Sequence, residues 1–244
     1  MTNYRPPLLN LPPVVKNLLI INVILLLATY VVKSKFGIDL KQHMGLYFPS
    51  SDFFRPHQIF THMFMHGDFT HLFFNMFALF MFGRVLESVW GPKRFLSFYL
   101  ITGLGAALLH VLVSFIEYNV AVSSLSPDQL DYFKELAAQG KYIPGTISEK
   151  ITSIMYAPTV GASGAVFGIL LGFGMLFPNT ELMLIFPPIP IKAKYFVIGY
   201  GAIELYLAFL NRPGDNIAHF AHLGGMIFGY ILIKYWQKNS NRFY

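Results

Sequence analysis

Long apolar runs without a charged side chain constrain this sequence more than any other feature. The clearest run covers residues 95–116, and a helix of about 20 such residues spans the hydrocarbon core of a bilayer. The chain is 55% hydrophobic, 12% charged and 17% aromatic, with a mean hydropathy of +0.51. These proportions are too apolar for a water-soluble domain of 244 residues and predict an integral membrane protein.

Similar runs recur along the chain. Together they predict an all-α fold, a bundle of six transmembrane helices that forms a single membrane domain over residues 1–244. Lys16 and Lys33 bracket the first run, where their side chains can reach lipid headgroups. No small-residue cleavage site follows it, so we expect an uncleaved helix. The predicted spans are residues 17–32, 68–84, 95–116, 160–177, 195–210 and 216–233.

Residues 117–150 form an insertion that is predicted to fold outside the bilayer, on the extracytoplasmic side. Ser126, Pro127 and Gln129 have the pattern of a capped helix start, and Gly140 supplies a stop. We therefore predict one short amphipathic surface helix there. Residues 34–61 mix phenylalanines with charges and are predicted to lie in the membrane interface, while proline residues punctuate the link between the fourth and fifth spans.

The basic residues predict the orientation of the chain. With a cytoplasmic N-terminus, ten of the 18 lysines and arginines lie on that side and eight on the other, three of the eight within the insertion. Long loops contribute little to this rule, so we expect both termini inside and Ser163 near the outer face. No basic run accompanies the net charge of +6, so no nucleic-acid partner is expected. The cytoplasmic set is Arg5, Lys16, Arg84, Lys93, Arg94, Lys192, Lys194, Lys234, Lys238 and Arg242.

Polar side chains within the spans lie at one depth. Ionisable groups are costly in a membrane and are therefore candidates for function. His71 and Asn75 are four residues apart, on one face of the second helix near its outer end. His222 lies one to two turns inside the sixth helix, also at the outer end. Ser163 enters at the outer end of the fourth helix, so the three elements can meet.

The stretch 161–168 surrounds Ser163 with small residues, which has two interpretations. Small residues let membrane helices approach closely, so packing alone can explain them. Alternatively, an imidazole that accepts the proton of a hydroxyl makes it nucleophilic, and the resulting oxyanion needs donors. His222 can act as that imidazole, with His71 and Asn75 as donors, although each can also be a hydrogen-bonded packing residue.

A metal site is the alternative for the other histidines. His62 and His66 are four residues apart, and histidine is the commonest metal ligand. The His-Glu-x-x-His motif is absent, and Gly67-Asp68 interrupts a continuous ligand face, so we expect no metal. The sequence contains no cysteine and no glycine-rich phosphate or dinucleotide motif, so no cofactor is expected.

In their order along the chain, these motifs resemble those of the rhomboid family of intramembrane serine proteases, in its six-span bacterial form. The resemblance covers about residues 54–230, and the first span is only generically similar. Each motif alone is weak, whereas their combination is specific. The motif residues are Gly161, Ser163 and Gly164; His62, His66, His71 and Asn75; Gly83, Glu87 and Gly91; and Ala221, His222, Gly225 and Gly229.

The resemblance implies a catalytic dyad without a third carboxylate, in which Ser163 is the nucleophile and His222 the general base. His71, Asn75 and the Ser163 N–H are the implied oxyanion donors. The implied substrates are transmembrane proteins in the lipid bilayer, cut in or beside their membrane segments. Phe167, one turn after Ser163, is expected to stack on the base where relatives often have tyrosine. The other supporting positions are Gly161, Gly164, His66 and Gly225.

Some features fall outside this resemblance. His57-Gln58 stands where many relatives have Trp-Arg, and Glu204 in the fifth span has no assigned role. The long insertion either shapes substrate access or is a plain connector. The rival functions are a non-catalytic rhomboid-like protein that binds membrane clients and a transporter with a histidine proton path. The short termini and the six-span plan favour a bacterial cytoplasmic membrane.

Overall fold

The computed structural model describes residues 11–183, 188–210 and 218–239, most of which are helical. A 3₁₀ turn, His62–Phe64, precedes α4, and a π-helical segment, Leu79–Gly83, joins α4 to α5. The α-helices in these ranges are α1 Pro13–Phe36, α2 Leu40–Met44, α3 Gln58–Thr61, α4 Phe69–Ala78, α5 Arg84–Trp90, α6 Pro92–Val122, α7 Pro127–Ala138, α8 Ile147–Tyr156, α9 Ser163–Leu176, α10 Ala193–Leu210 and α11 His219–Asn239.

Four helical segments in the described ranges are long and apolar enough to cross a membrane. α9 is also apolar but has only 14 residues, and α11 has 21 residues and contains two histidines in its first turn. Large apolar side chains on the spanning helices are exposed, as on surfaces that contact lipid. The protein is therefore an integral, multi-pass membrane protein. The four segments are Pro13–Phe36, Phe69–Trp90, Pro92–Val122 and Ala193–Leu210.

The second span is longer than predicted, because Arg84 does not end it. The helix continues to Trp90 and stops at Gly91, which has a φ of +78°. The Arg84 guanidinium lies 5.2 Å from the centroid of the Phe80 ring and is on an exposed face. A long basic side chain on such a face can reach the headgroups, so its charge does not require the helix to stop.

The third span is also longer than predicted. α6 has 31 residues, about 46 Å at 1.5 Å per residue, which exceeds the thickness of a bilayer core. It passes through Glu117, whose carboxylate lies 3.7 Å from the Lys150 ammonium of α8. This pairing and the absence of a helix breaker before Pro127 explain why α6 extends into the segment predicted as an insertion.

Most of the described residues are helical, as the all-α prediction requires, and the structure adds one short β-hairpin. β1, Glu181–Met183, pairs antiparallel with β2, Pro190–Lys192, in the proline-rich link before α10. Pro190 is the first residue of β2, a position where a missing N–H is tolerated. α11 ends at Asn239 and not at residue 233. Predictions that concern Arg5, Arg242, Pro187 and the start of the sixth span at Asn216 lie outside the described residues.

Helices α6, α9 and α11 pack against one another most extensively, and small residues line their contacts. A Cβ atom at Gly225 of α11 would overlap with the Gly164 carbonyl group of α9. A Cβ atom at Gly168 of α9 would lie 2.7 Å from Cβ of Thr102 on α6. Small residues allow membrane helices this close approach. The three helices thus form the frame on which the candidate site is built.

A buried carboxylate attaches α1 to this frame. Glu87 of α5 is 2% exposed, and its two oxygens accept hydrogen bonds from the N–H groups of Val14 at 2.9 Å and Val15 at 2.7 Å. The first N–H groups of a helix have no intrahelical partner, and the positive end of the helix dipole favours an anion there. Glu87 therefore caps α1 while it joins α1 to α5.

A single glutamine organises the connection between α1 and α4. Gln58 is 1% exposed, and its oxygen accepts from the N–H groups of Arg55 at 3.0 Å and Tyr47 at 3.4 Å. Its nitrogen donates to the carbonyl oxygens of Phe53 at 3.0 Å and His43 at 3.3 Å. The amide thus holds the loop together at the position where this sequence departs from the Trp-Arg pattern.

The insertion folds onto the C-terminal end of α6. The predicted surface helix is α7, and both bonds of its capping box, between Ser126 and Gln129, are present. α8 is an additional helix, which begins where the Thr146 side chain accepts from the Ser148 N–H. Apolar residues of both helices pack around Phe48 of the interfacial loop. The insertion is therefore folded against the body of the protein.

Candidate active site

Ser163 is the first residue of α9, and the turn before it requires glycine. Gly161 has a φ of +136°, and a Cβ atom there would lie 2.9 Å from Nε2 of His71 and 3.5 Å from Oγ of Ser163. The Gly161 N–H donates to the His62 carbonyl oxygen at 3.0 Å, which fixes this turn against the segment before α4. The hydroxyl is consequently held next to the free N–H groups at the positive end of α9.

His222 is held flat against an aromatic ring. The Phe167 and His222 rings stack with centroids 4.1 Å apart and planes 7° apart. Phe167 and Ser163 are four residues apart on α9 and share one helix face, so the stack brings the imidazole to the side of α9 that presents the hydroxyl. Among the described residues, no hydrogen bond joins Ser163 to His222. Catalytic hydrogen bonds often form only when substrate is bound.

Glu204 of α10 contacts the other edge of this imidazole. Its Oε2 lies 2.9 Å from Nδ1 of His222 and 2.6 Å from Nδ1 of His219. All three side chains are buried. The sequence marks Glu204 as a charged residue inside a span, but its partners lie 15 and 18 residues away on another helix. Only the packing of α10 against α11 reveals the contact.

His71 presents a ring N–H toward the turn before Ser163. Nδ1 of His71 accepts a hydrogen bond from the Gly67 N–H at 3.4 Å, which assigns the ring proton to Nε2. Nε2 and Cε1 form the edge of the ring that lies beside Gly161, two residues before Ser163. Asp68 caps α4 by accepting the His71 N–H at 2.8 Å, and this bond fixes the start of the helix. His71 therefore carries its ring N–H on the edge that faces the turn before Ser163.

Asn75 lies one turn further into α4 and lines a cavity together with Ser163, His71 and His222. Its side chain is buried, and its Nδ2 donates to the His71 carbonyl oxygen at 3.0 Å. An amide nitrogen carries two protons, so one of them is available to another acceptor. The structure thus brings Asn75 to the site and leaves it the donor capacity that an oxyanion requires.

The two preceding histidines are buried beneath the site. Burial lowers the pKa of His62 to about 4, and burial together with the charge of His71 lowers the pKa of His66 to about 3. Nδ1 of His62 donates to the Gln58 carbonyl oxygen at 2.9 Å. The His66 ring meets the His71 ring edge-on, with centroids 5.1 Å apart. Both therefore stay neutral at physiological pH and support His71 through packing.

His110 of α6 is a cavity residue that the sequence motifs do not identify. Its Nε2 lies 2.9 Å from the Thr159 hydroxyl, and Thr159 pairs through its backbone with Leu46. An imidazole in the run 95–116 is itself the signal that could have identified it, since ionisable groups within spans are functional candidates. The cavity, about 1680 Å³ in volume, is lined by Ser163, His222, His71, Asn75, His110, Thr159 and Glu204.

The distances between three side chains at the site distinguish metal ligation from hydrogen bonding. In the described ranges, Glu204, His219 and His222 form a group whose potential ligand atoms lie within 4.8 Å of one another. Ligands of a tetrahedral zinc ion at 2.0–2.1 Å are about 3.3 Å apart, whereas the contacts here are 2.6 and 2.9 Å. Those separations are hydrogen-bond lengths. The group therefore fits hydrogen bonding, and His62 and His66 do not join it.

Fold and site together define a multi-pass membrane protein in which a hydroxyl, an imidazole and a set of donors face one cavity. A model of the rhomboid domain family matches residues 54–238, which is most of the chain, and the chain belongs to the rhomboid family.

Three relatives illustrate this membership. The chain is 29% identical to Rhomboid protease AarA of Providencia stuartii over 192 residues, 73% of this chain and 57% of that protein. It is 26% identical to Rhomboid protein 1, mitochondrial, of Saccharomyces cerevisiae over 183 residues, 73% and 42% of the two chains. It is 28% identical to RHOMBOID-like protein 12, mitochondrial, of Arabidopsis thaliana over 191 residues, 78% and 49%. The chain spans about half the length of these relatives.

Proposed function

We propose that this protein is an intramembrane serine endopeptidase, which hydrolyses peptide bonds in or beside the transmembrane segments of other membrane proteins. The observation that carries the proposal is the stack of Phe167 on His222, one helical turn from Ser163. The stack supports the proposal because it holds an imidazole against the face of α9 that carries the Ser163 hydroxyl. Membership of a family that includes a protein named as a protease supports the same conclusion.

The chemistry follows from the positions of the groups. The Ser163 oxygen attacks the peptide carbonyl carbon, and the hydroxyl proton passes to His222. His71, Asn75 and the first N–H groups of α9 stabilise the oxyanion. The proton then moves to the leaving amine as the carbon–nitrogen bond breaks, and water hydrolyses the acyl-enzyme by the reverse sequence. A helical segment must unwind for this attack, so helix-weakening residues near the cut are expected.

The proposal includes the arrangement in the membrane. We propose six spans, with α9 and α11 added to the four long apolar segments described above, both termini in the cytoplasm and the cavity open to the outer face. The bacterial cytoplasmic membrane is the proposed location. The rival proposal, a client-binding protein without catalysis, keeps the same fold but does not require a reactive serine.

Labelling with a serine-directed fluorophosphonate tests the proposal. The Ser163 oxygen would form a bond to phosphorus while fluoride leaves, and the hydroxyl proton would pass to His222. We expect the purified wild-type protein to be labelled and to cut a reporter with one transmembrane segment. Ser163→Ala should lose both activities and keep the thermal midpoint of the wild type. Cleavage by purified Ser163→Ala protein would falsify the proposal, and a folded but unlabelled, inactive wild type would favour client binding.

A further inference from the structure

Two rings share one carboxylate oxygen beside the base. Oε2 of Glu204 lies 2.6 Å from Nδ1 of His219 and 2.9 Å from Nδ1 of His222. A protonated carboxyl oxygen could donate to only one of these nitrogens, whereas an ionised carboxylate accepts from both. The shared contact therefore indicates a carboxylate, and it places a proton on Nδ1 of each ring.

This arrangement assigns the tautomer of His222. With its proton on Nδ1, a neutral imidazole carries its lone pair on Nε2, on the other side of the ring from α10. The face of the ring is fixed by Phe167, with planes 7° apart. A stack fixes the plane of a ring but permits rotation within that plane, and a hydrogen bond at one ring nitrogen removes this freedom. Phe167 and Glu204 thus provide different constraints.

We propose that Glu204 is a positioning residue for the proposed reaction: it holds His222 with Nε2 toward Ser163 and stabilises the imidazolium that forms when the hydroxyl loses its proton. This inference rests on the proposed function, and it replaces the implied dyad by a set of three groups. His219 donates to the same oxygen and so holds the carboxylate in place. A carboxylate that orients a histidine and stabilises its charged form serves this purpose in other serine hydrolases.

The electrostatic surroundings of His222 come from several helices. Glu204 is the acidic group that contacts it, from α10. His219 lies on its own helix, with ring centroids 6.3 Å apart. His71 of α4 and His110 of α6 are near enough to interact with its charge, and α9 contributes no ionisable side chain. The carboxylate is therefore the anionic group in this set that can favour imidazolium.

The pH dependence of Glu204→Gln tests the role of the carboxylate. The second-order rate of fluorophosphonate labelling and kcat/KM for the reporter are measured across pH, with the full chain in detergent micelles. Loss of the carboxylate disfavours imidazolium, so we expect the rise of both rates with pH to move to lower pH. The plateau that each rate reaches at high pH should fall by about 10²-fold, because the orientation of His222 and the stabilisation of its charged form are both lost.

Two further variants separate positioning from simple structural support. Glu204→Asp keeps the charge, so both rates should rise near the same pH as in the wild type. Their plateau should lie between those of the wild type and Glu204→Gln. Glu87→Gln neutralises another buried carboxylate, remote from His222, and should leave the rise where it is in the wild type.

The outcomes are distinct from those that test the proposed function. A folded wild type without labelling or cleavage would overturn the proposed function itself. An active wild type with an unshifted rise in Glu204→Gln would overturn the role of Glu204 alone. If Glu204→Gln fails to fold, Glu204→Asp decides: a plateau equal to that of the wild type overturns the inference, and a reduced plateau at an unshifted pH supports it.

Discussion

Two buried carboxylates in this membrane protein each accept two hydrogen bonds, but from different kinds of donor. Glu87 accepts from two backbone N–H groups of α1, at 2.9 and 2.7 Å. Glu204 meets two imidazole nitrogens, at 2.6 and 2.9 Å. Burying a charge is costly unless it is paired and hydrogen-bonded, and both sites meet that requirement. The difference is that a backbone amide cannot change its charge, whereas an imidazole can.

The buried charge of Glu87 has a structural use, whereas that of Glu204 has a chemical one. At the α1–α5 contact, the donors are permanent, so Glu87 contributes a constant stabilisation. Near α9, the charge of the donors depends on protonation, so the proposed proton transfer to His222 would strengthen its contact with Glu204. Substitutions around Glu87 should therefore change stability, and substitutions around Ser163 and His222 should change rates. Each of the following predictions tests whether that division holds.

Asn75→Ala should have a larger effect than Glu87→Gln or Phe167→Leu. Loss of an oxyanion donor lowers kcat by about 10²–10³-fold, or about 3–4 kcal/mol in the barrier. We expect this loss in reporter cleavage, with little change in the thermal midpoint measured in detergent. The reason is that Asn75 sits in the cavity and its bond to the His71 carbonyl oxygen adds little to an already formed helix.

Asn22→Ala is the matched control for this prediction. Asn22 of α1 is buried and donates to the Leu18 carbonyl oxygen at 2.7 Å, the same side-chain-to-backbone bond four residues back that Asn75 makes. It does not line the cavity. Equal losses of turnover in the two variants would show that such asparagines act through helix packing. That result would contradict the role of Asn75 as an oxyanion donor.

Glu87→Gln should mainly lower stability. The amide keeps one acceptor and places a donor against a backbone N–H, so one charge-assisted hydrogen bond is replaced by an unfavourable contact. The expected loss is about 2 kcal/mol, measured as a lower thermal midpoint. Turnover per folded molecule should change little. A loss of turnover comparable to that of Glu204→Gln, at unchanged stability, would contradict the structural role of Glu87.

Local patterns predicted the features that depend on nearby residues. The capping box at Ser126 and Gln129 requires four consecutive positions, and the structure contains it. The spacing of Ser163 and Phe167 on one helix face is likewise local, and so is the pairing of His71 with Asn75 on α4. These relations follow from helix geometry and need no knowledge of the tertiary fold.

The features that could not be predicted depend on contacts between distant segments. Glu204 meets His222 only because α10 packs against α11, and α6 extends beyond the predicted span while Glu117 pairs with Lys150. The β1–β2 hairpin depends on strand pairing across a proline-rich link that reads as irregular. The role of Gln58 arises from four loop partners that no local motif specifies. Charge alone marked Glu204 as unusual without identifying its partner.

Phe167→Leu should have the smallest effect, because the stack is one of two constraints on His222. Aromatic stacking contributes about 0.5–1.5 kcal/mol, so we expect kcat to fall by up to about 10-fold. Phe167→Tyr keeps the ring and should remain within about 3-fold of the wild type, since the stack supplies the same order of energy.

The double variant Phe167→Leu with Glu204→Gln shows whether the two constraints act together. If each fixes a different motion of the ring, the two losses are independent, and the double variant should lose kcat by the product of the two single-variant factors. Residues that contact a shared partner commonly couple by 0.5–3 kcal/mol. A coupling of that size in kcat would mean that both residues restrain the same motion of the ring, and it would contradict separate roles for Phe167 and Glu204.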